Sequence, residues 1–210
     1  LVPFVDDIVV KPKEKSKATK VQVLGVRPFV LEFANVLKKI LLKAIENNMT
    51  MSVKKSIVGV AEIEIVGQVC NENGRAISSS KIKKTLDWGE FTNVTQVRGF
   101  LGLCVWFRIW IKGFSEIAAP LYYLTRKNAR FSWKLEHDEA VSQLKAAINS
   151  APVLVPIDYT LPLVVNLDAG PKAGGGYLGQ DHDGKRKVNR FVSYIYSPAI
   201  INYAQVKKEL

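Results

Sequence analysis

The chain has 210 residues, 48% of them hydrophobic, which is enough for a sizeable core and excludes a disordered tail. Thirty Lys and Arg against 19 Asp and Glu give a formal net charge of +11, which favours a polyanionic partner, most simply nucleic acid. Cys70 and Cys104 show neither metal-type spacing nor a disulfide framework, and no signal peptide or membrane-length apolar run is present. The expectation is therefore a reducing intracellular setting, cytoplasmic or nuclear, without a membrane partner. The sequence does not begin with Met and stops inside a predicted helix, so both ends are expected to be cut from something longer.

Residues 1–10 hold Asp6 and Asp7 between two apolar runs, a pattern that predicts a hairpin with both carboxylates at its tip. A carboxylate held there suits a hard cation such as Mg²⁺, and an exposed Asp-Asp turn is the alternative. Lys11 to Lys20 is a lysine-rich loop. Pro28 opens a predicted helix that carries Val30, Phe33, Leu37 and Leu41 on one face and ends near Asn47-Asn48. Residues 51–69 read as two short strands, the second over 62–66, and residues 71–74 as a turn.

A second unit starts near Ser78. Residues 80–88 predict a short basic helix. Thr92 or Asn93 can cap the next helix, which carries Val94, Val97, Leu101 and Cys104 on one face. Phe100, Trp106, Phe107, Trp110 and Phe114 alternate there with Arg98, Arg108 and Lys112. Such interleaving serves either base stacking with phosphate contacts or a helical core with a basic face. Further helices are predicted over 117–126 and 136–149, with His137 and His182 as separate surface residues. The apolar run Leu161 to Leu167 leads into Asp168 and predicts a central strand covered on both faces. A strand starting in Gly174-Gly175-Gly176, an Asp183-Gly184 turn, a strand over 188–196 and a helix from Asn202 complete the chain.

These pieces together resemble the polymerase–RNase H region of gypsy-type LTR retrotransposon polyproteins, particularly fungal ones, over almost the whole chain. Phe4-Val5-Asp6-Asp7 is similar to the aromatic-x-Asp-Asp box of the reverse-transcriptase palm, and Lys55 falls at the palm lysine near the incoming nucleotide. Ile65-Val66-Gly67-Gln68 matches the primer-grip hairpin. Leu86-Asp87-Trp88 matches a leucine-x-tryptophan-proline element, with Gly89 in place of the proline. The most specific match is Val97-Arg98-Gly99-Phe100-Leu101-Gly102-Leu103 with Phe107-Arg108-Ile109-Trp110-Ile111-Lys112, which resembles the helical thumb. Asn166-Leu167-Asp168-Ala169 is similar to the box that opens the RNase H domain, with Gly170 where that box has serine.

The resemblance implies an α+β fold: palm over 1–77, helical thumb or connection over 78–158, and a truncated three-stranded RNase H-like sheet with helix over 159–210. It implies Asp6, Asp7, Asp168 and Glu209 as catalytic and metal-binding carboxylates and Lys55 at the nucleotide. Gly67, Trp88, Arg98, Arg108 and Lys112 would meet nucleic acid. The family's activities are RNA-directed DNA synthesis and degradation of the RNA strand, both run by pairs of Mg²⁺ or Mn²⁺ ions. A third palm Asp, the fingers and a further RNase H acid are missing from the sequence, so both metal sites are expected to be incomplete and the fragment inactive alone. The implied partners are RNA/DNA hybrid, primer–template and the rest of the polyprotein. A catalytically dead nucleic-acid-binding remnant, or an interaction fragment that pairs through exposed sheet edges, are the alternatives. If Tyr203 and Val206 face the sheet, Glu209 is expected opposite Asp168 by its i+3 spacing.

Overall fold

An apolar side chain at every third or fourth position from Val94 to Ile148 gives each helix there one face that must leave water, and those faces meet in one core. The computed structural model describes residues 2–4, 7–10 and 26–209. The chain divides into two compact units at Val60/Ala61.

In the first unit, β1 (Val2–Phe4) and β2 (Asp7–Val9) pair antiparallel with Phe4 across from Asp7. Helix α1 (Pro28–Glu46) starts on Pro28, where the missing N–H costs nothing, and stops where Asn48 turns to φ 54°. Residues 53–55 form a 3-10 turn where a strand was expected. Local bonding wins there, because Ser56 Oγ donates to the Ser52 carbonyl at 2.9 Å.

The second unit opens with an antiparallel sheet of β3 (Ile63–Ile65), β4 (Gln68–Asn71) and β5 (Gly74–Ile77), in that order. Helices α2 (Ser79–Leu86), α3 (Val94–Phe107), α4 (Phe114–Leu124) and α5 (Leu135–Asn149) follow. Asn93 caps α3, its side-chain oxygen accepting from Gln96 N at 3.0 Å. Phe100, Phe107, Trp110 and Phe114 are buried, so most of the aromatic run is core. His137 is buried as well, against the expectation of a surface residue. Its Nδ1 accepts from Lys134 N at 2.9 Å at the start of α5, and its ring lies 5.2 Å from that of Trp133.

The last sheet has the order β6 (Val164–Ala169), β7 (Ala173–His182), β8 (Lys185–Ile195). Here the expectation of a central first strand is corrected. Strand β7 is central and β6 pairs on one side only among the described residues, leaving Val165 62% and Leu167 69% exposed. The glycines of β7 permit close pairing, since a Cβ on Gly176 would run into the Asn166 carbonyl oxygen. Helices α6 (Pro198–Ile201) and α7 (Gln205–Glu209) end the chain. Gln205 Nε2 donates to the Ala169 carbonyl and Lys208 Nζ to that of Pro171 at 3.0 Å, while Tyr203 and Val206 are exposed. The face of α7 turned to β6 is therefore that of Gln205 and Lys208, not that of Tyr203 and Val206.

The outer edge of β8 docks on the helical core. Arg108 Nη2 donates to the Ser193 carbonyl at 2.9 Å, and Val155 N to that of Val188 at 2.9 Å. Ser193 Oγ accepts from Ser115 N at 2.9 Å and lies 3.0 Å from Ser115 Oγ.

Two alanine substitutions should separate close packing from backbone entropy. Gly176→Ala should lower the unfolding free energy by about 2 kcal/mol or more, because β6 must move off β7. Gly102→Ala, in mid-α3 with open space at its Cβ, should raise it by up to about 1 kcal/mol. Urea denaturation of both variants reads the two signs.

Candidate nucleic-acid interface

The residues expected to meet nucleic acid are placed by the β3–β4 turn, by α2 and α3 and by the turns that follow them. Val66 (φ 51°) and Gly67 (φ 79°) form the two-residue β3–β4 turn, the geometry a type I′ hairpin needs. Gly67 is buried beneath the aliphatic stem of Lys81, and its carbonyl accepts from Ser78 N at 3.0 Å. Lys81 carries its ammonium 6.0 Å from the Trp106 ring centre, and Trp106 stacks on Trp110 at 5.3 Å. Trp88 packs edge-on to Phe100 at 5.7 Å, and its carbonyl accepts from Lys145 Nζ at 2.9 Å.

Arg98 and Arg108 each spend part of the guanidinium on protein. Arg98 Nη2 donates to the Thr125 carbonyl at 3.1 Å and Arg108 Nη2 to that of Ser193. A guanidinium has five N–H donors, so both retain donors for a second partner. Lys112 is exposed and makes no ion pair among the described residues. Lys55 is exposed on the 3-10 turn of the first unit.

The carboxylates are distributed as follows. Asp6 lies outside the described residues, as do the side chains of Asp7 and Glu209, although the backbones of these two belong to β2 and α7. Asp168 is exposed on β6, in register with Gly175 of β7, which in turn faces Ser193 of β8. Among the described residues no three His, Cys, Asp or Glu side chains converge as a metal ion requires. The described residues by themselves do not fit a two-metal centre.

The comparisons bear on this arrangement. Residues 133–210 match the family described as the RNase H-like domain found in reverse transcriptase. The Gag-Pol polyprotein of baboon endogenous virus (strain M7) is 31% identical over 180 residues, 86% of this chain and 10% of that one. The transposon Tf2-3 polyprotein of Schizosaccharomyces pombe is 26% identical over 211 residues, 100% of this chain and 15% of that one. This chain is similar to a stretch of retroviral and retrotransposon Pol polyproteins. It spans 10% and 15% of the length of those two relatives. Among solved structures, the foamy viral protease–reverse transcriptase in complex with RNA/DNA hybrid matches with a TM-score of 0.73 at 28% identity, over 85% of this chain and 24% of that one. Its dRH form in complex with double-stranded DNA gives 0.74 at 27%, over 85% and 32%.

The polar junction on β8 escaped the sequence reading. Asn189 and Ser193 are buried, and Asn189 Nδ2 donates to the Val155 carbonyl at 2.8 Å. Buried Gln180 of β7 ties the connector, its Oε1 accepting from Asp158 N at 2.9 Å and its Nε2 donating to the Asp158 carbonyl at 2.7 Å. The available signal was a polar side chain recurring at even spacing inside an otherwise strand-like run.

Arg108→Ala should cost about 1–2 kcal/mol of stability, because it strips a charged donor from an edge carbonyl. Lys112→Ala should stay within about 0.5 kcal/mol. Thermal melts distinguish the two. A pH effect follows from Cys104, fully buried in α3, whose thiol burial pushes up to about 12. Its folded-state value exceeds the unfolded one, so the folded chain keeps a proton that the unfolded chain releases. Stability should fall as pH rises from about 9 toward 12, by at most about 1.4 kcal/mol per pH unit from this group. Cys104→Ala should flatten that slope in pH-stepped urea melts.

Proposed function

We propose that this chain is the palm-to-RNase H-like portion of a gypsy-type LTR retrotransposon Pol polyprotein, and that its part in RNA-directed DNA synthesis is to hold RNA/DNA duplex. In this reading, residues 1–77 belong to the palm, 78–158 to the thumb or connection and 159–210 to the RNase H-like domain. The observation that supports it most is the likeness, at a TM-score of 0.73 and 28% identity, to a foamy viral enzyme solved with RNA/DNA hybrid. The charge of +11 suits the same partner, because each phosphate neutralised by Lys or Arg releases counterions. Lys112 and the spare donors of Arg98 and Arg108 supply contacts of that kind. Buried Phe100, Phe107 and Trp110 fix the spacing of these cations along α3 and the turn after it, rather than stacking on bases.

Duplex binding falls to the described residues. In the intact polyprotein, Mg²⁺ or Mn²⁺ held by carboxylates including Asp168 would supply the phosphodiester chemistry.

Fluorescence anisotropy with a labelled RNA/DNA hybrid tests the proposal. Affinity should be nearly independent of sequence. It should fall on the order of 10³-fold between about 50 and about 200 mM salt if roughly six phosphates are contacted. Binding that is flat with salt, or absent at low salt, overturns it. Hybrid cleavage in Mg²⁺ that disappears in Asp168→Asn would assign chemistry as well as binding.

A further inference from the structure

The β7–β8 hairpin carries Lys185, Arg186, Lys187 and Arg190 within the first six residues of β8. Arg186 is matched, its Nε and Nη2 donating to the two carboxylate oxygens of Asp181 at 2.5 and 3.0 Å. Lys185, Lys187 and Arg190 are exposed and make no ion pair with any carboxylate among the described residues.

Beside them lies Arg75 of β5. Its backbone is fixed by a two-way bridge to Leu154, with N–O distances of 2.8 and 2.9 Å. Its guanidinium sits 5.8 Å from the Trp110 ring centre, and its Nη2 reaches the Asn189 carbonyl only at 3.5 Å. Its Nε is buried and makes no hydrogen bond. Burial and, less strongly, the positive charge of Arg190 hold the Arg75 guanidinium below its usual range. A part-buried cation beside a like charge and without a carboxylate is electrostatically under-compensated.

A cleft of about 370 Å³ opens between the β4–β5 turn, the connector 152–155 and β8. Asn73, Lys187 and the Asp181-paired Arg186 stand on its walls, and Val153, Val155 and Val188 form the apolar part. Glu72 and Asp183 stand on the neighbouring turns, and neither lines the cleft.

We propose that this junction of β5, the connector and the β7–β8 hairpin is a second anchoring point for the phosphate backbone of nucleic acid, made by Lys187 and Arg190 with Arg75 behind them and the Asn73 amide opposite. The strand geometry favours a continuous polyanion over a single anion. Lys185 to Arg190 spans about 17 Å at about 3.3 Å per residue, about five nucleotide rises along one strand. The ladder to β7 and the bridge to Leu154 hold these positions before any ligand arrives, so little ordering cost is left to binding. The inference rests on the duplex-binding reading, and adds a contact made by residues other than Gly67, Trp88, Arg98, Arg108 and Lys112.

The test is the salt dependence of binding of the full chain to the labelled RNA/DNA hybrid, for wild type and Lys187→Ala/Arg190→Ala. The double variant should reduce the slope of log affinity against log salt by about 2, at about 0.9 per phosphate contact, and equally on hybrids of unrelated sequence. Its melting temperature should match wild type, because both side chains are exposed. If the alanine pair lowers the melt, Lys187→Gln/Arg190→Gln, which retains more of each stem, supplies the reading. Wild-type binding with an unchanged slope in the variant overturns this inference and leaves the duplex-binding reading standing. No wild-type binding at low salt overturns both.

Discussion

The second unit depends on the capture of the outer edge of β8 by the helical core. An edge strand presents unpaired carbonyls and N–H groups that recruit other strands unless something covers them. Here the covers are guanidinium groups and one bridging backbone, with Arg108 on Ser193, Val155 on Val188 and Arg75 reaching toward Asn189. Hydrogen bonds from charged donors contribute about 1.5–3 kcal/mol each, and losing one leaves an edge carbonyl without its partner. An interaction fragment that pairs through open strand edges finds little support on this side of the sheet, because the edge is already occupied.

That capture also sets where Asp168 stands. It is two strands away from Ser193 along the Gly175 register, about 9.5 Å at the usual strand spacing. The Ser193–Ser115 contact clamps β8 to the start of α4, so the ladder carries the acidic end of β6 to a set distance from the helical core.

The arginines show why residue type does not separate structural from functional roles. Arg108 holds the sheet edge with one nitrogen and keeps other donors free, so it both builds the surface and belongs to it. Phe100, Phe107 and Trp110 lie under that surface and set its shape. Large rings buried in a small helical core supply much of its apolar area.

The helices were legible in the sequence because their signals are local. Pro28, the Asn93 cap and the apolar spacing from Val97 to Ile148 act within a few residues of themselves, and the chain folds there as those signals predict. The likeness to a Pol polyprotein was legible for the same reason, since its motifs are short and ordered along the chain. What the sequence could not decide is which surface each element meets. An apolar run such as Leu161 to Leu167 reads as central whether its neighbours exist or not, yet among the described residues β6 pairs only with β7, which takes the middle. The turn of α7 toward β6 was set by Gln205 and Lys208 finding carbonyls, not by its apolar residues, and His137 was buried by Trp133 and a helix start. Hydrogen-bond partners far apart in sequence decided these placements, and only the tertiary structure brings such partners together.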